Sequence, residues 1–220
     1  MLSRIVLVTG HYGSGKTNFS VNLALELRRA GRKVALCDLD IVNPYFRSAD
    51  FEGLMRREGI ETISPTFANT NLDVPSLGAG LSAVLAQPDK TVVVDVGGDD
   101  AGAVALGRYA PAIARQGYTM LYVYNHYRYL TRDPADALEI LEEIHVASRL
   151  RGSFIVNNSN LGGETDAAVI ERSFAPCGEL SALSALPVLC VTAPRALADS
   201  LSYSGRVFPV DLYVKKPWEA

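Results

Sequence analysis

A glycine-rich turn between a short apolar run and a helix-forming stretch constrains the fold more than any other feature of this chain. Apolar residues 5–8 are followed by Gly10-His11-Tyr12-Gly13-Ser14-Gly15-Lys16-Thr17, which fits the pattern Gly-x4-Gly-Lys-Thr. In this order, backbone N–H groups can curl around phosphate oxygens at the positive end of the helix dipole. The sequence therefore predicts a phosphate-binding loop, in which Lys16 reaches the β and γ phosphates and Thr17 offers a hydroxyl to Mg²⁺. We expect Asn18, the next residue, to lie at the nucleotide as well.

Short apolar runs alternate with longer amphipathic stretches along the whole chain. The later runs are residues 34–36, 91–94, 120–124, 154–156 and 188–191, with 62–64 as a shorter candidate. Helical spacing predicts one helix from the loop to about Ala30 and another over Pro134–Ser148, where Asp133 is the expected N-cap. This alternation predicts an α/β fold of three layers over residues 1–220, with a mainly parallel sheet and helices on both faces.

Carboxylates follow two of the predicted strands. Asp38 and Asp40 follow the second strand, and Asp95 ends the strand at 91–94. Because the carboxyl ends of parallel strands meet at one edge of a sheet, these acids should lie beside the phosphate loop. Magnesium beside a triphosphate takes oxygen ligands, so we expect Thr17, Asp40 and Asp95 to hold it. For Asp99 a helix N-cap is the alternative interpretation, and for Asp100 the N-cap is the favoured one.

The order of these motifs resembles the MinD, ParA, Mrp and nitrogenase iron protein group of P-loop ATPases. The group's switch I resembles Asp38-Leu39-Asp40-Ile41-Val42-Asn43-Pro44, and its switch II resembles Asp95-Val96-Gly97-Gly98-Asp99. The resemblance implies that Gly98 senses the γ-phosphate through its N–H group. It also implies that Asp40, assisted by Asp38 or Asp99, positions the attacking water while Lys16 stabilises the phosphates.

Two later segments resemble the base-binding loops of the same group. The resemblance places an adenine-reading asparagine at Asn157, in the segment Asn157-Asn158-Ser159-Asn160, and a second base-side loop at Pro194 and Arg195. An asparagine offers both a donor and an acceptor to adenine, and the Asn/Thr-Lys-x-Asp signature for guanine is missing, so ATP is the expected nucleotide. Turn formation is the alternative for Asn158, for Asn160 and for the Pro194 loop.

One residue of the loop departs from the MinD and ParA pattern. His11 stands where that branch has an additional lysine that contacts the phosphates of the partner subunit. A homodimer is implied by kinship, but His11 cannot replace a permanent cation and weakens this expectation. A protonated His11 could contribute to phosphate binding, but a loop histidine making one hydrogen bond is the favoured interpretation.

Composition excludes several partner classes. The net charge of −3 and the scattered basic pairs give no footprint for nucleic acid. The ending Val214-Lys215-Lys216-Pro217-Trp218 is too short and proline-broken for a basic membrane-binding helix. Three distant cysteines suggest neither a disulfide framework nor a bound metal cluster, and the apolar start is too short for a signal peptide, so we expect a cytoplasmic protein.

The segment Tyr122-Val123-Tyr124-Asn125-His126-Tyr127-Arg128-Tyr129 leaves two interpretations open. Arg128 could contact a phosphate or an acid of a partner, with Tyr127 on an interaction surface. Alternatively, the tyrosines cap the core.

These features together predict a slow, Mg²⁺-dependent ATPase that acts as a switch. Its nucleotide state would reshape residues 38–48 and 95–102 and so change the affinity for an unknown protein partner. The alternative is a small-molecule enzyme resembling dethiobiotin synthetase or the cobyrinate amidases, which share this fold, although no acceptor site is evident. A small-molecule kinase is disfavoured, because the two acidic motifs suit a switch better than a kinase lid.

Overall fold

The structure is a computed structural model and describes residues 2–40, 49–64, 73–98 and 100–213. Three expectations lie outside these ranges. They concern Asp99, residues 41–48 of the expected switch I, and the ending at 214–218.

An eight-stranded sheet forms the centre of the described fold. Its order is β3-β2-β4-β1-β5-β6-β7-β8, and every neighbouring pair is parallel. The strands are β1 (Ile5–Thr9), β2 (Lys33–Asp38), β3 (Glu61–Ile63), β4 (Lys90–Asp95), β5 (Tyr118–Tyr124), β6 (Phe154–Asn157), β7 (Val188–Pro194) and β8 (Val207–Val210). The predicted parallel sheet is confirmed, and β8 is an additional strand that the sequence pattern did not indicate.

Eight α-helices connect these strands within the described ranges. They are α1 (Lys16–Arg29), α2 (Ala49–Arg57), α3 (Asp73–Leu85), α4 (Asp100–Gly107), α5 (Ala110–Gln116), α6 (Pro134–Ser148), α7 (Ala167–Arg172) and α8 (Phe174–Ser184). Both predicted helices are present, and the Asp133 side chain caps α6 by accepting the Ala135 N–H at 2.9 Å. None of the helices in these ranges combines the length and apolarity needed to cross a bilayer.

The sheet is buried on both faces. Val6 and Val8 of β1 pack in one cluster with α1 and α2, whereas Ile5 and Leu7 pack in another with α3, α4 and α5. Successive side chains of a strand point to opposite faces, so β1 needs an unbroken apolar run to lie between two helical layers. This arrangement confirms the three-layer prediction.

The strand register brings the chemistry-bearing residues to one edge. Asp38 and Asp95 are direct partners in the β2–β4 pairing, and Val8 pairs with Asp95 from β1. Beyond the strands, the Leu39 N–H donates to the Asp95 carbonyl at 2.8 Å and the Val96 N–H donates to the Val8 carbonyl at 3.0 Å. Both acidic segments therefore end beside the glycine loop that follows β1.

Candidate nucleotide-binding site

The loop between β1 and α1 needs glycine for two separate physical reasons. Gly10, Gly13 and Gly15 have φ values of 145°, 74° and 88°, where side chains are strained. Space is also lacking, since a methyl group built on Gly10 would lie 2.4 Å from the Val123 carbonyl oxygen. One built on Gly15 would lie 2.3 Å from Asn158 Nδ2. The predicted strand, glycine loop and helix are all present in the expected order.

Hydrogen bonds close the loop on itself. The His11 carbonyl accepts both the Ser14 N–H at 3.1 Å and Lys16 Nζ at 3.0 Å. Lys16 is largely buried, so its ammonium sits at the rim of the loop and does not extend into solvent. The Ser14 hydroxyl is buried and lacks a hydrogen-bond partner within the described residues. Tyr12 at the crest is 63% exposed.

A buried carboxylate lies directly beside the start of α1. The Thr17 hydroxyl donates to Asp95 Oδ2 at 2.7 Å, and the Ser20 hydroxyl donates to Asp95 Oδ1 at 3.0 Å. Burial raises the pKa of Asp95 to about 6, although Lys16 and the two hydroxyls act in the opposite direction. The negative charge of Asp40 also contributes to this raised pKa, which shows that Asp40 lies within electrostatic reach of Asp95.

Asp38, the last residue of β2, and Asp40 are joined by a hydrogen bond between a side chain and the backbone. Asp38 is buried, and its Oδ1 accepts the Asp40 N–H at 2.8 Å. Asp40 itself is half-buried. Asp38 therefore orients the chain at Asp40, and Asp40 is the more accessible carboxylate of the two.

Thr17, Asp95 and Asp40 form a donor set that fits Mg²⁺. All three offer oxygen, which this hard cation prefers. Within the described ranges, no group of three or more His, Cys, Asp or Glu side chains is arranged to hold a metal ion by itself. Magnesium sites that serve nucleotides typically use one or two protein carboxylates together with phosphate oxygens and water. The residues present match that smaller set.

Gly98, after β4, touches the phosphate loop. A methyl group built on Gly98 would lie 2.6 Å from Lys16 Nζ and 2.7 Å from the Tyr12 nitrogen. Any side chain at this position would displace the loop or the lysine. The segment expected to sense the γ-phosphate is thus in direct contact with the residues expected to bind it.

His11 carries no permanent charge at this site. Burial lowers the pKa of His11, and the nearby Lys16 lowers it further. The lowered pKa favours the neutral imidazole, which fits the expectation that His11 does not replace a lysine.

Two neighbouring asparagines, one at the end of β6 and one directly after it, face different parts of the molecule. Asn157 is buried; its Nδ2 donates to Ser173 Oγ at 2.9 Å, and its Oδ1 accepts the Ser159 N–H at 3.2 Å. Asn158 Nδ2 instead donates to the Ser14 carbonyl at 2.7 Å, inside the phosphate loop. The structure brings Asn158 to the loop, whereas the Asn157 side chain is engaged within the fold. Adenine reading by Asn157 stays a prediction.

For Asn158, the sequence left turn formation open as an alternative. Thr192 of β7 donates its hydroxyl to Asn158 Oδ1, so the side chain is fixed from both sides. The position of Asn158 could have indicated this contact, because Asn158 directly follows a buried strand that ends at the same edge of the sheet as the phosphate loop. We interpret Asn158 as the brace that holds the loop at Ser14.

Asn18 and the loop at Pro194, which are also expected at the nucleotide, lie near residues 211–213. Asn18 Nδ2 donates to the Asp211 carbonyl at 3.0 Å, and Asn18 Oδ1 accepts the Tyr213 N–H at 2.8 Å. Arg195, directly after Pro194, forms a salt bridge with Asp211. Asn18 and the Pro194 loop are therefore linked through Asp211, and their contact with a nucleotide stays a prediction.

Comparisons with known proteins agree with this geometry. Residues 2–95 match the family model described as ParA, the NUBPL iron-transfer P-loop NTPases. The chain is 32% identical over 90 residues to the cytosolic Fe-S cluster assembly factor NUBP2 of Bos taurus, which covers 40% of this chain and 32% of that protein. The chain thus spans about a third of the length of the curated relatives that it matches.

Solved structures resemble the fold over most of the chain. Chloroplast FtsY from Physcomitrella patens has a TM-score of 0.57 at 16% identity, covering 87% of this chain and 58% of that one. The signal recognition particle 54 kDa protein from Aeropyrum pernix, solved in complex with GDP, has a TM-score of 0.58 at 18% identity. It covers 86% of this chain and 41% of that chain. At such identities the likeness concerns the fold alone.

Sheet order, helical layers and phosphate loop together define the three-layer α/β fold of P-loop NTPases. Residues 2–95, which contain the loop and both acidic strand ends, are similar to the ParA family model and to NUBP2.

Proposed function

We propose that the protein binds ATP with Mg²⁺, hydrolyses it slowly, and uses the bound state as a switch for a protein partner. The contact between Thr17 and Asp95, at 2.7 Å beneath the phosphate loop, carries this proposal. It joins the loop that would bind phosphate to the strand end from which the expected switch II begins. A change at the phosphates can therefore be transmitted to the chain after Asp95.

The chain's own groups divide the work of binding and hydrolysis. The loop amides and Lys16 bind the β and γ phosphates, for which the ammonium leaves the His11 carbonyl. Mg²⁺, held by Thr17, Asp95 and Asp40, would neutralise charge on those phosphates. Asp40 positions the attacking water, because it is the more exposed of the two acids after β2. Without a partner to complete the site, turnover is expected to be slow.

Gly98 is the proposed sensor of the nucleotide state. Its contact with Lys16 and the Tyr12 backbone must change when Lys16 turns toward a γ-phosphate. Order and disorder of such segments around a γ-phosphate is a common switching device. The proposed partner that reads this change is a protein, since the net charge of −3 and the scattered basic pairs give no footprint for nucleic acid.

ATP is the proposed nucleotide because the segment after β6 lacks a carboxylate. Residues 157–160 read Asn-Asn-Ser-Asn, and guanine recognition needs a strong acceptor for its ring N–H and amino donors. The structural neighbour solved with GDP shares the fold at low identity and does not decide the base. Competition between ATP and GTP in a binding assay tests this part of the proposal.

The named relatives suggest a setting for the switch. They are cytosolic Fe-S cluster assembly factors, and we propose a cytoplasmic role in regulating or maturing a partner. Carriage of an Fe-S cluster is not part of the proposal. Cys37, Cys177 and Cys190 are buried, and each lies in a different part of the hydrophobic core. A nucleotide-dependent homodimer remains a proposal. None of the relatives reported above is a ligase or a kinase.

Two substitutions test the proposal. Lys16→Ala should abolish ATP binding by removing the phosphate-binding ammonium, whereas Asp40→Ala should leave ATP binding largely intact and remove hydrolysis. Isothermal titration and phosphate release measure the two effects, with Lys33→Ala as the control, since Lys33 is exposed at the opposite edge of the sheet. Retained ATP affinity in Lys16→Ala would show that the loop assignment is wrong.

A further inference from the structure

Arg128 lies against the crest of the phosphate loop. A methyl group built on Gly13 would lie 3.6 Å from Arg128 Nε and 3.9 Å from its Cζ. Because Gly13 has no side chain, the guanidinium approaches the loop backbone directly. Strand order explains the contact, since β5 pairs with β1 and the loops that follow them are neighbours.

The backbone that carries Arg128 is held on both sides. Before it, Asn125 Oδ1 accepts the Tyr127 N–H at 3.0 Å, and the Tyr127 hydroxyl donates to the Val169 carbonyl at 2.7 Å. After it, the Thr131 hydroxyl donates to the Asn125 carbonyl at 2.7 Å. The base of the side chain is therefore fixed beside the loop, which reduces the entropy cost of placing its charge there.

Arg128 brings a cation to this crest, and no acid in the described part of the chain pairs with it. Within the described residues its guanidinium makes no hydrogen bond or ion pair, whereas the exposed Arg195 and Arg206 both form salt bridges. His11 is less suited to supply this charge, because burial and Lys16 lower its pKa. A guanidinium placed in this way suits the oxygens of a phosphate, which it binds through a planar fork of donors.

We infer that Arg128 contacts the γ-phosphate of a nucleotide bound in the same chain and acts as a catalytic residue for its hydrolysis. Negative charge spreads over the equatorial oxygens of the transferred phosphoryl group, where an arginine stabilises it. The second positive charge at the loop then comes from the segment after β5 and does not depend on a partner subunit. This inference rests on the proposed function.

The test compares triphosphate and diphosphate binding. Arg128→Ala should weaken ATP affinity by about tenfold and change ADP affinity by less than about twofold, because only ATP carries the γ-phosphate. Hydrolysis at saturating ATP should fall by at least about tenfold. Arg128→Lys should recover most of the ATP affinity but less of the hydrolysis rate, since lysine keeps the charge and loses the planar fork.

Arg115→Ala is the matched control. Arg115 is exposed just before β5, so it lies about 20 Å from Arg128 along the strand at the opposite edge. The inference is overturned if Arg128→Ala and Arg115→Ala show the same ATP-to-ADP affinity ratio and the same turnover. It is also overturned if Arg128→Ala alters only association with a protein partner. In either case ATP binding that still depends on Lys16 would leave the proposed function standing.

Discussion

Replacing Asp95 by asparagine should stabilise the protein in the absence of nucleotide and magnesium. The carboxyl group is buried, and burial raises its pKa from 3.8 to about 6. Asparagine has the same shape without the charge. Its amide can keep both hydrogen bonds, because the hydroxyls of Thr17 and Ser20 can accept as well as donate.

The size of the effect follows from the pKa of Asp95. One pKa unit corresponds to about 1.4 kcal/mol, so the ionised carboxylate costs the folded state about 3 kcal/mol at pH 7.5. Between pH 3.8 and about 6 the folded state binds more protons than the unfolded state, so this cost decreases as the pH falls. At pH 5 roughly half of it remains, and below pH 3.8 it disappears.

Thermal unfolding in EDTA, without nucleotide, measures this prediction. For a chain of this length, 3 kcal/mol corresponds to a rise in Tm of about 6–12 °C for Asp95→Asn at pH 7.5, and of about half that at pH 5. Asp199→Asn is the control, since Asp199 is exposed, and it should leave Tm unchanged at both pH values. A variant less stable than wild type at pH 7.5, or one whose gain does not depend on pH, would refute the reasoning.

Asp95→Asn should also lose the rise in Tm that Mg²⁺ and ATP give to the wild type. A ligand that binds only the folded state raises Tm, and Asp95 is a proposed ligand of the cation. Addition of both should therefore stabilise the wild type and leave Asp95→Asn nearly unchanged. Equal ligand-induced stabilisation of both proteins would remove Asp95 from the metal site.

Three further predictions concern the loop and one distant histidine. Gly15→Ala should lower Tm and abolish ATP binding, because its methyl group would strain φ of 88° and meet Asn158 at 2.3 Å; wild-type affinity would contradict this. Asn158→Ala should cost about 1–3 kcal/mol in urea unfolding and weaken ATP binding, since it leaves the Ser14 carbonyl without its buried donor. His145 accepts the Gly152 N–H at 2.8 Å, and burial lowers its pKa below 6.5, so its contribution to stability is present above pH 6.5 and lost as the pH falls through the lowered value. Urea unfolding of His145→Gln should lack this loss, and an unchanged pH profile would exclude the histidine as its source.

Local patterns in the chain were enough to predict the loop and the strands around it. Each buried strand is a continuous apolar run, and the glycine loop joins such a run to an amphipathic helix. β8 escaped prediction because it is short and contains Pro209, which strands tolerate at a sheet edge, where β8 lies. The structure was also needed to decide the environment of each tyrosine in the segment from Tyr122 to Tyr129. Tyr122 and Tyr124 are buried core residues, whereas Tyr129 is 90% exposed.

The sequence by itself determined the phosphate loop and the acids at two strand ends, because these depend on spacing along a few neighbouring residues. Only the tertiary structure decided which side chains meet the loop. Asn157 and Asn158 are adjacent in the chain but point to opposite sides, since side chains alternate along a strand. Arg128 reaches Gly13 because β5 lies beside β1 in the sheet, and strand order is set by packing between distant segments.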